Sequence, residues 1–165
     1  MFVLGIDPGI ANTGWGVVDF LGQKFQPVCY GVVKTETSDS LEKRISIIAE
    51  SVTQLIQKYG IRHVAMEDIF FAKNETSAIG VAKVIGAVTY AAYRQGIGIS
   101  MFTPLQIKTA ITGYGRAEKK QVQEMCRLLL KLDSIPRPDH AADALAAAVC
   151  FCNTNATTGR MGIFK

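Results

Sequence analysis

The chain opens with a short hydrophobic run that ends in an acid. Residues 2–6 read Phe-Val-Leu-Gly-Ile and lead into Asp7, which Pro8 and Gly9 follow. Such a run before a Pro-Gly turn predicts a buried strand with Asp7 at its end. Apolar-rich segments at Thr13–Asp19 and Val28–Thr35 predict two more strands, separated by a turn at residues 21–24. The first three strands are therefore expected to form a meander.

After the meander, the hydrophobic positions change to helical spacing. They predict a helix from a capping box at Asp39 and Glu42 to a stop at Gly60, then a strand over His63–Met66. The later elements follow the same two periodicities. They are predicted as a helix at Ser77–Gln95, a strand at Ile97–Phe102, and helices at Pro104–Ile111, Lys119–Leu132 and Asp139–Cys152, with Thr103 and Asp139 as N-caps.

Strands and helices in this order predict one α/β domain. The expected sheet is five-stranded and mixed, built from the meander plus two crossover strands, with helices on both faces and the fourth strand beside the first. The domain is assigned to residues 1–152, and the polar residues 153–165 are expected to be a flexible tail.

Composition limits the partners and the cellular compartments that this domain could have. The 165 residues carry a net charge of +4, which permits an anionic partner without requiring one. No run approaches a membrane span, and no basic region precedes the first strand as in a signal peptide. The four cysteines form no CxxC pair, as expected for buried thiols in a reducing cytoplasm.

Two of the predicted strands end in acidic residues, which is the first indication of a functional site. Asp7 ends the first strand, where it either forms an Asx turn or belongs to a metal or phosphate site. Gly9, Gly14 and Gly16 favour the second reading slightly, since glycine lets a phosphodiester approach the backbone. Side chains alternate along a strand, so only one of the two acids after the fourth strand can join Asp7. We choose Glu67 and expect a surface or turn role for Asp68.

The last helix adds two more candidates. His140 and Asp143 are three residues apart, hence on one helical face, in an alanine-rich run. If that alanine face packs across the sheet, the two side chains reach Asp7 and Glu67. Three or four oxygen or imidazole ligands suit Mg²⁺ or Mn²⁺, and two such ions can lie about 4 Å apart in phosphodiester-cleaving sites.

Basic and aromatic residues near these acids suggest a DNA surface. Four basic residues surround the glycine-flanked Tyr114, and they are Lys108, Arg116, Lys119 and Lys120. Lysines at a helix start oppose its dipole and favour an anionic partner, although such a group can also be a solvated face. Phe70, Phe71 and Lys73 follow Glu67. Either both phenylalanines pack in the core, or one of them is exposed and acts as a wedge between bases.

Four blocks, in this order and at this chain length, closely resemble the RuvC family of bacterial Holliday junction resolvases, nucleases of the ribonuclease H-like fold. The blocks are Gly5-Ile6-Asp7-Pro8-Gly9, Glu67 with Phe70 and Ala72-Lys73-Asn74, Ala117-Glu118-Lys119, and Asp143-Ala144-Leu145. The resemblance implies a homodimer that makes paired, symmetric nicks in four-way junction DNA, with RuvA and RuvB as branch-migration partners.

The resemblance also implies residue roles. Asp7, Glu67 and Asp143 correspond to metal ligands, with Mg²⁺, two per site, as the expected cofactor and Mn²⁺ as a substitute. His140 stands where many members have an aspartate and others a histidine, which leaves open whether it is a ligand or a base and whether Asp139 contributes. Phe70 corresponds to a residue that reaches unstacked bases. Lys108 and Lys119 correspond to phosphate contacts.

The chemical hypothesis is hydrolysis without a covalent intermediate. One ion would lower the pKa of the attacking water and the other would stabilise the leaving 3′ oxygen, giving 5′-phosphate and 3′-hydroxyl ends. Two alternatives stay open: a branched-DNA-binding module that cuts nothing, and a single-lobe relative of the actin and sugar-kinase ATPases, whose first phosphate loop Asp7, Gly9, Thr13 and Gly14 also resemble.

Overall fold

The computed structural model describes residues 1–22, 24–69 and 75–158, without the side chains of residues 75–77 and 156–158. The strands are β1 (Phe2–Asp7), β2 (Asn12–Leu21), β3 (Lys24–Lys34), β4 (His63–Glu67) and β5 (Gly98–Phe102). The helices are α1 (Leu41–Tyr59), α2 (Glu75–Tyr93), α3 (Pro104–Thr112), α4 (Lys119–Leu129) and α5 (Asp139–Thr158). No helix of these ranges is long and apolar enough to cross a membrane.

The five strands form one mixed sheet in the order β3-β2-β1-β4-β5. The meander β1-β2-β3 is antiparallel, whereas β4 pairs parallel with both β1 and β5. Ile6 of β1 lies beside Met66 of β4, so the carboxyl ends of these two strands are neighbours. The predicted α/β fold with a five-stranded mixed sheet is confirmed.

The two faces of the sheet are covered by different helices. On one face, α1 and α2 pack large aliphatic side chains against β1, β2 and β4, among them Leu4, Ile48 and Val88. On the other face, α5 lies across the strands and α3 and α4 pack against it. The predicted helices on both faces are therefore present, and the alanine-rich α5 covers the middle of the sheet.

Some predicted helix ends are wrong. Ser40, not Asp39, is the N-cap of α1, and Asp39 instead pairs with Lys43 at 2.7 Å. At α5, Asp139 is the first helical residue rather than the cap. The predicted helix from Lys119 ends at Leu129 rather than Leu132, because Lys131 adopts a positive φ of 53°.

The last helix also continues past its predicted end at Cys152 to Thr158. Two polar side chains near its end bond back one turn: the Thr154 hydroxyl donates to the Cys150 carbonyl at 2.9 Å, and the Asn155 amide donates to the Phe151 carbonyl at 2.8 Å. A polar composition alone therefore did not mark the end of regular structure.

Candidate active site

Asp7 and Glu67 lie side by side on the face of the sheet that α5 covers. Alternation along β1 and β4 turns Ile6 and Met66 toward α1 and α2, so Asp7 and Glu67 point to the opposite side. Asp68, beyond the strand, is exposed and its carboxylate accepts the Ile69 N–H at 2.8 Å. Glu67 is thus the acid that shares the Asp7 side, and Asp68 has a turn role.

Glycines in β1 and β2 let α5 approach the sheet closely. A Cβ on Gly14 would overlap the carbonyl of His140, and one on Gly5 would overlap the carbonyl of Ala144. A Cβ on Gly16 would lie 2.6 Å from Cδ2 of Leu145. Such positions need glycine because any side chain would push the helix away.

This contact corrects the role expected for two of these glycines. Gly14 and Gly16 make room for a helix rather than for a phosphodiester, and a Cβ on Gly9 would meet the carbonyl oxygen of Asn12 at 2.5 Å. The close approach carries the first turns of α5 to the ends of β1 and β4. It therefore brings His140 and Asp143 to Asp7 and Glu67.

Each aspartate of this cluster has a basic partner. Nδ1 of His140 lies 2.8 Å from Oδ2 of Asp7, and Nζ of Lys119 donates to Oδ2 of Asp143 at 2.7 Å. Burial raises the pKa of Asp7, the bond to His140 opposes that rise, and the charge of Asp143 adds to it. Burial alone would lower the pKa of Lys119, but Asp143 and the other nearby carboxylates raise it.

Glu67 is the most perturbed acid of the cluster. Burial, followed by the charges of Asp7 and Asp143, raises its pKa from 4.5 to about 7, although Lys119 and Lys108 act in the opposite direction. A cavity of about 210 Å³ opens beside it, lined also by Asp143 and by both lysines. Two carboxyl groups with a raised pKa, Asp7 and Glu67, next to a third acid and an open cavity are typical of a functional site.

The donor set fits a hard divalent cation. Asp7, Glu67 and Asp143 supply carboxylate oxygens, and His140 can add a ring nitrogen. A cation among them would offset the repulsion from Asp7 and Asp143, which adds to burial in raising the pKa of Glu67. Within the described ranges, no three His, Cys, Asp or Glu side chains are already arranged to hold a metal ion. The four candidate side chains thus lie close together, but among the residues that the structure describes no three of them are in coordinating positions.

The predicted DNA contacts separate into distinct groups. Lys108 and Lys119 line the cavity beside Glu67 and Asp143. Tyr114 and Lys120 instead line a separate groove on the far side of the α4 start, together with Met125 and Leu128, and Arg116 is exposed between α3 and α4. Phe70 and Lys73 lie outside the described residues.

Sequence reasoning missed the pairing between the acids and the bases. The sequence predicts a phosphate contact for Lys119, and in this structure its ammonium also donates to Asp143. The spacing of residues contained no signal for this bond, because the two residues come from different helices. The Asp7–His140 bond had a partial signal, since His140 and Asp143 share one face of α5.

Comparison with known proteins gives a consistent result. Residues 3–151 match the family model described as Crossover junction endodeoxyribonuclease RuvC. The chain is 44% identical over 162 residues to a protein of that name from Caldanaerobacter subterraneus subsp. tengcongensis, and the alignment covers 98% of each chain.

Solved structures agree. The structure of Thermus thermophilus RuvC is similar with a TM-score of 0.89 and 36% identity, covering 96% of this chain and 97% of that one. A second T. thermophilus RuvC structure, in complex with a Holliday junction substrate, gives a TM-score of 0.87 and 34% identity over the same shares of the two chains.

Proposed function

The chain belongs to the RuvC family of crossover junction endodeoxyribonucleases, with the ribonuclease H-like fold, and from this we propose that it resolves four-way DNA junctions by paired nicks. The observation that carries the proposal is the convergence of Asp7, Glu67 and Asp143 from β1, β4 and α5 beside an open cavity. The similar Thermus protein in complex with a Holliday junction supports four-way junctions as the substrate.

We further propose that these three carboxylates hold Mg²⁺, with Mn²⁺ able to replace it. The bound ions would supply an activated water and charge stabilisation for the leaving oxygen. His140 positions Asp7 through the 2.8 Å contact, and its other ring nitrogen is then free to act as a ligand or a proton acceptor. Burial of Glu67 keeps bulk water from screening the charges of the site.

The basic residues are proposed to hold the DNA in two zones. Lys108 and Lys119, which line the cavity, would contact phosphates close to the scissile bond. Tyr114, Arg116 and Lys120 are exposed and would contact a neighbouring arm of the junction. Phe70 and Lys73 are proposed for the unstacked bases and backbone at the crossover, as the family resemblance implies.

Paired nicks need two sites, so we propose a homodimer. Exposed large side chains on one stripe of α2 support a self-association surface, and they are Ile79, Tyr90 and Tyr93. RuvA and RuvB are proposed partners on the basis of the family resemblance, and the cytoplasm is the proposed location.

The decisive experiment incubates a labelled four-way junction with the purified protein in Mg²⁺, in Mn²⁺ and in a chelator. We expect symmetric nicks with either ion and none in the chelator. Asp7→Asn keeps the side-chain volume but removes a charge, so this variant should bind the junction and cut it at least about a hundredfold more slowly.

The same assay separates the alternatives. Junction binding by the wild-type protein without cleavage in either ion would favour the non-cleaving module, and ATP hydrolysis without cleavage would favour the ATPase relative. Turnover of Asp7→Asn near the wild-type rate would remove Asp7 from the proposed metal site.

A further inference from the structure

We propose that Lys119 competes with the divalent cation for Asp143, so that the carboxylate is released for the cation when a DNA phosphate engages the lysine. This inference rests on the proposed nuclease function. It assigns to Lys119 a positioning role at the metal site in addition to a contact with DNA.

The geometry of the ion pair is the first argument. Nζ of Lys119 lies 2.7 Å from Oδ2 of Asp143 and 4.0 Å from Oδ2 of Asp139. The ammonium therefore occupies one oxygen of a proposed ligand. A divalent cation that used this oxygen would lie against a positive charge, so the two repel each other there.

The contacts of the other acidic side chains at the site agree with this competition. Asp7 is engaged by His140, and Asp143 by Lys119. In the part of the chain that the structure describes, no group of three potential ligands is arranged for a metal. Asp7 and Asp143 are thus close enough to raise the pKa of Glu67, and each of the two has an oxygen bonded to a basic side chain.

Lys119 is also exposed enough to leave its ion pair with Asp143. Its side chain is 56% exposed, whereas the side chain of Asp143 is 22% exposed. Ion pairs with a solvent-exposed member are weak, so another anion at the cavity can compete for the lysine. A DNA phosphate is such an anion, and the N-terminus of α4, where Lys119 is the first residue, also favours negative charge.

Lys108 offers a matched comparison in the same cavity. It lines the cavity beside Glu67 and affects the pKa of Glu67 through its charge, as Lys119 does. Unlike Lys119, it makes no ion pair with a carboxylate among the described residues. Replacing Lys108 removes the same charge without freeing an oxygen of Asp143.

The test measures Mn²⁺ binding to the DNA-free protein by calorimetry for wild type, Lys119→Met and Lys108→Met. Methionine keeps much of the length of lysine and lacks the charge. We expect Lys119→Met to bind Mn²⁺ about five- to tenfold more tightly than wild type and Lys108→Met less than about twofold more tightly. Thermal unfolding of each variant checks that the fold is retained.

A second measurement tests the link to DNA. Ca²⁺ binding is measured with and without a four-way junction, after gel electrophoresis has verified that the junction is intact. The junction should strengthen Ca²⁺ binding to wild type more than to Lys119→Met, because only wild type has a lysine to displace. Equal strengthening in the two proteins would overturn the link.

Two results of the Mn²⁺ titration would overturn the competition itself. One is equal affinity in wild type and Lys119→Met, and the other is equal tightening in both lysine variants, which would reduce the effect to net charge. Either result leaves the proposed nuclease function standing, since junction cleavage by the wild-type protein is measured separately.

Discussion

Each end of β4 carries a buried titratable side chain, but the groups that surround the two side chains differ. His63 and Glu67 are four residues apart on one strand, both face α5, and both have a pKa shifted by burial. His63 bonds Ser100 at 2.9 Å and stacks on Phe151 with ring centroids 3.8 Å apart. Glu67 instead lies beside two further acids, Asp7 and Asp143.

The difference shows that burial does not by itself identify a functional group. Burial lowers the pKa of His63 to about 4, so the ring is neutral, bonded and packed at neutral pH. The pKa of Glu67 rises to about 7 partly because like charges face it. Packing and a hydrogen bond thus satisfy the group at one end of the strand, whereas burial and two neighbouring acids disfavour the charge of the group at the other end.

The largest expected effect is on cleavage. Glu67→Gln keeps the shape of the side chain but removes a proposed ligand charge, so the rate of junction cleavage should fall at least about a hundredfold. Asp68→Asn is the matched control at the next position, where the carboxylate is exposed, and its rate should stay within about threefold of wild type. Rates are measured with saturating protein, so that chemistry rather than binding is compared.

A similar fall in both variants would show that the assay responds to lost charge near the DNA rather than to a ligand at the strand end. A normal rate in Glu67→Gln would remove the functional distinction between the two ends of β4.

Much of the fold follows from the order of periodic segments. The apolar run before Asp7, the amphipathic pattern of α1 and the alanine-rich α5 each indicated the correct element, and the crossover rule gave the correct neighbour for β4. The helix ends were less accessible, because neighbouring polar residues such as Asp39 and Ser40 compete to cap a helix.

At the candidate site, the sequence predicted the acids but not their partners. Strand alternation showed that only one of Glu67 and Asp68 can lie beside Asp7, and the choice of Glu67 agrees with the structure. The bond between Lys119 and Asp143 depends on the packing of α4 against α5, which no local pattern encodes. Gly14 and Gly16 do allow a close approach, but the group that approaches them is α5 rather than DNA.

The next effect concerns stability. His63→Gln removes the stacked ring from Phe151 and disturbs the bond to Ser100, so the free energy of unfolding should fall by about 2–3 kcal/mol. Ser100→Ala removes only the hydroxyl and should cost about 1 kcal/mol. Urea unfolding at pH 7 measures both, and junction cleavage by His63→Gln at a temperature where it is folded should match wild type. Lost cleavage in the folded variant would contradict a purely structural role for this end of β4.

The smallest effect is a difference in how stability depends on pH. The pKa of Glu67 in the folded protein is about 7 against an ordinary value of 4.5, so its contribution to stability is present below pH 4.5 and is lost as the pH rises to 7. The pKa of His63 is about 4 in the folded protein against an ordinary value of 6.5, so its contribution to stability is present above pH 6.5 and is lost as the pH falls to 4.

The contributions of Glu67 and His63 to stability therefore change in opposite directions between pH 4.5 and 6.5. From the lower to the higher of these pH values, Glu67→Gln should therefore gain about 2 kcal/mol of stability relative to wild type, and His63→Gln should lose a similar amount. Urea unfolding at pH 4.5, 5.5 and 6.5 measures both changes, and slopes of the same sign in the two variants would mean that the ends of β4 do not titrate in opposite directions.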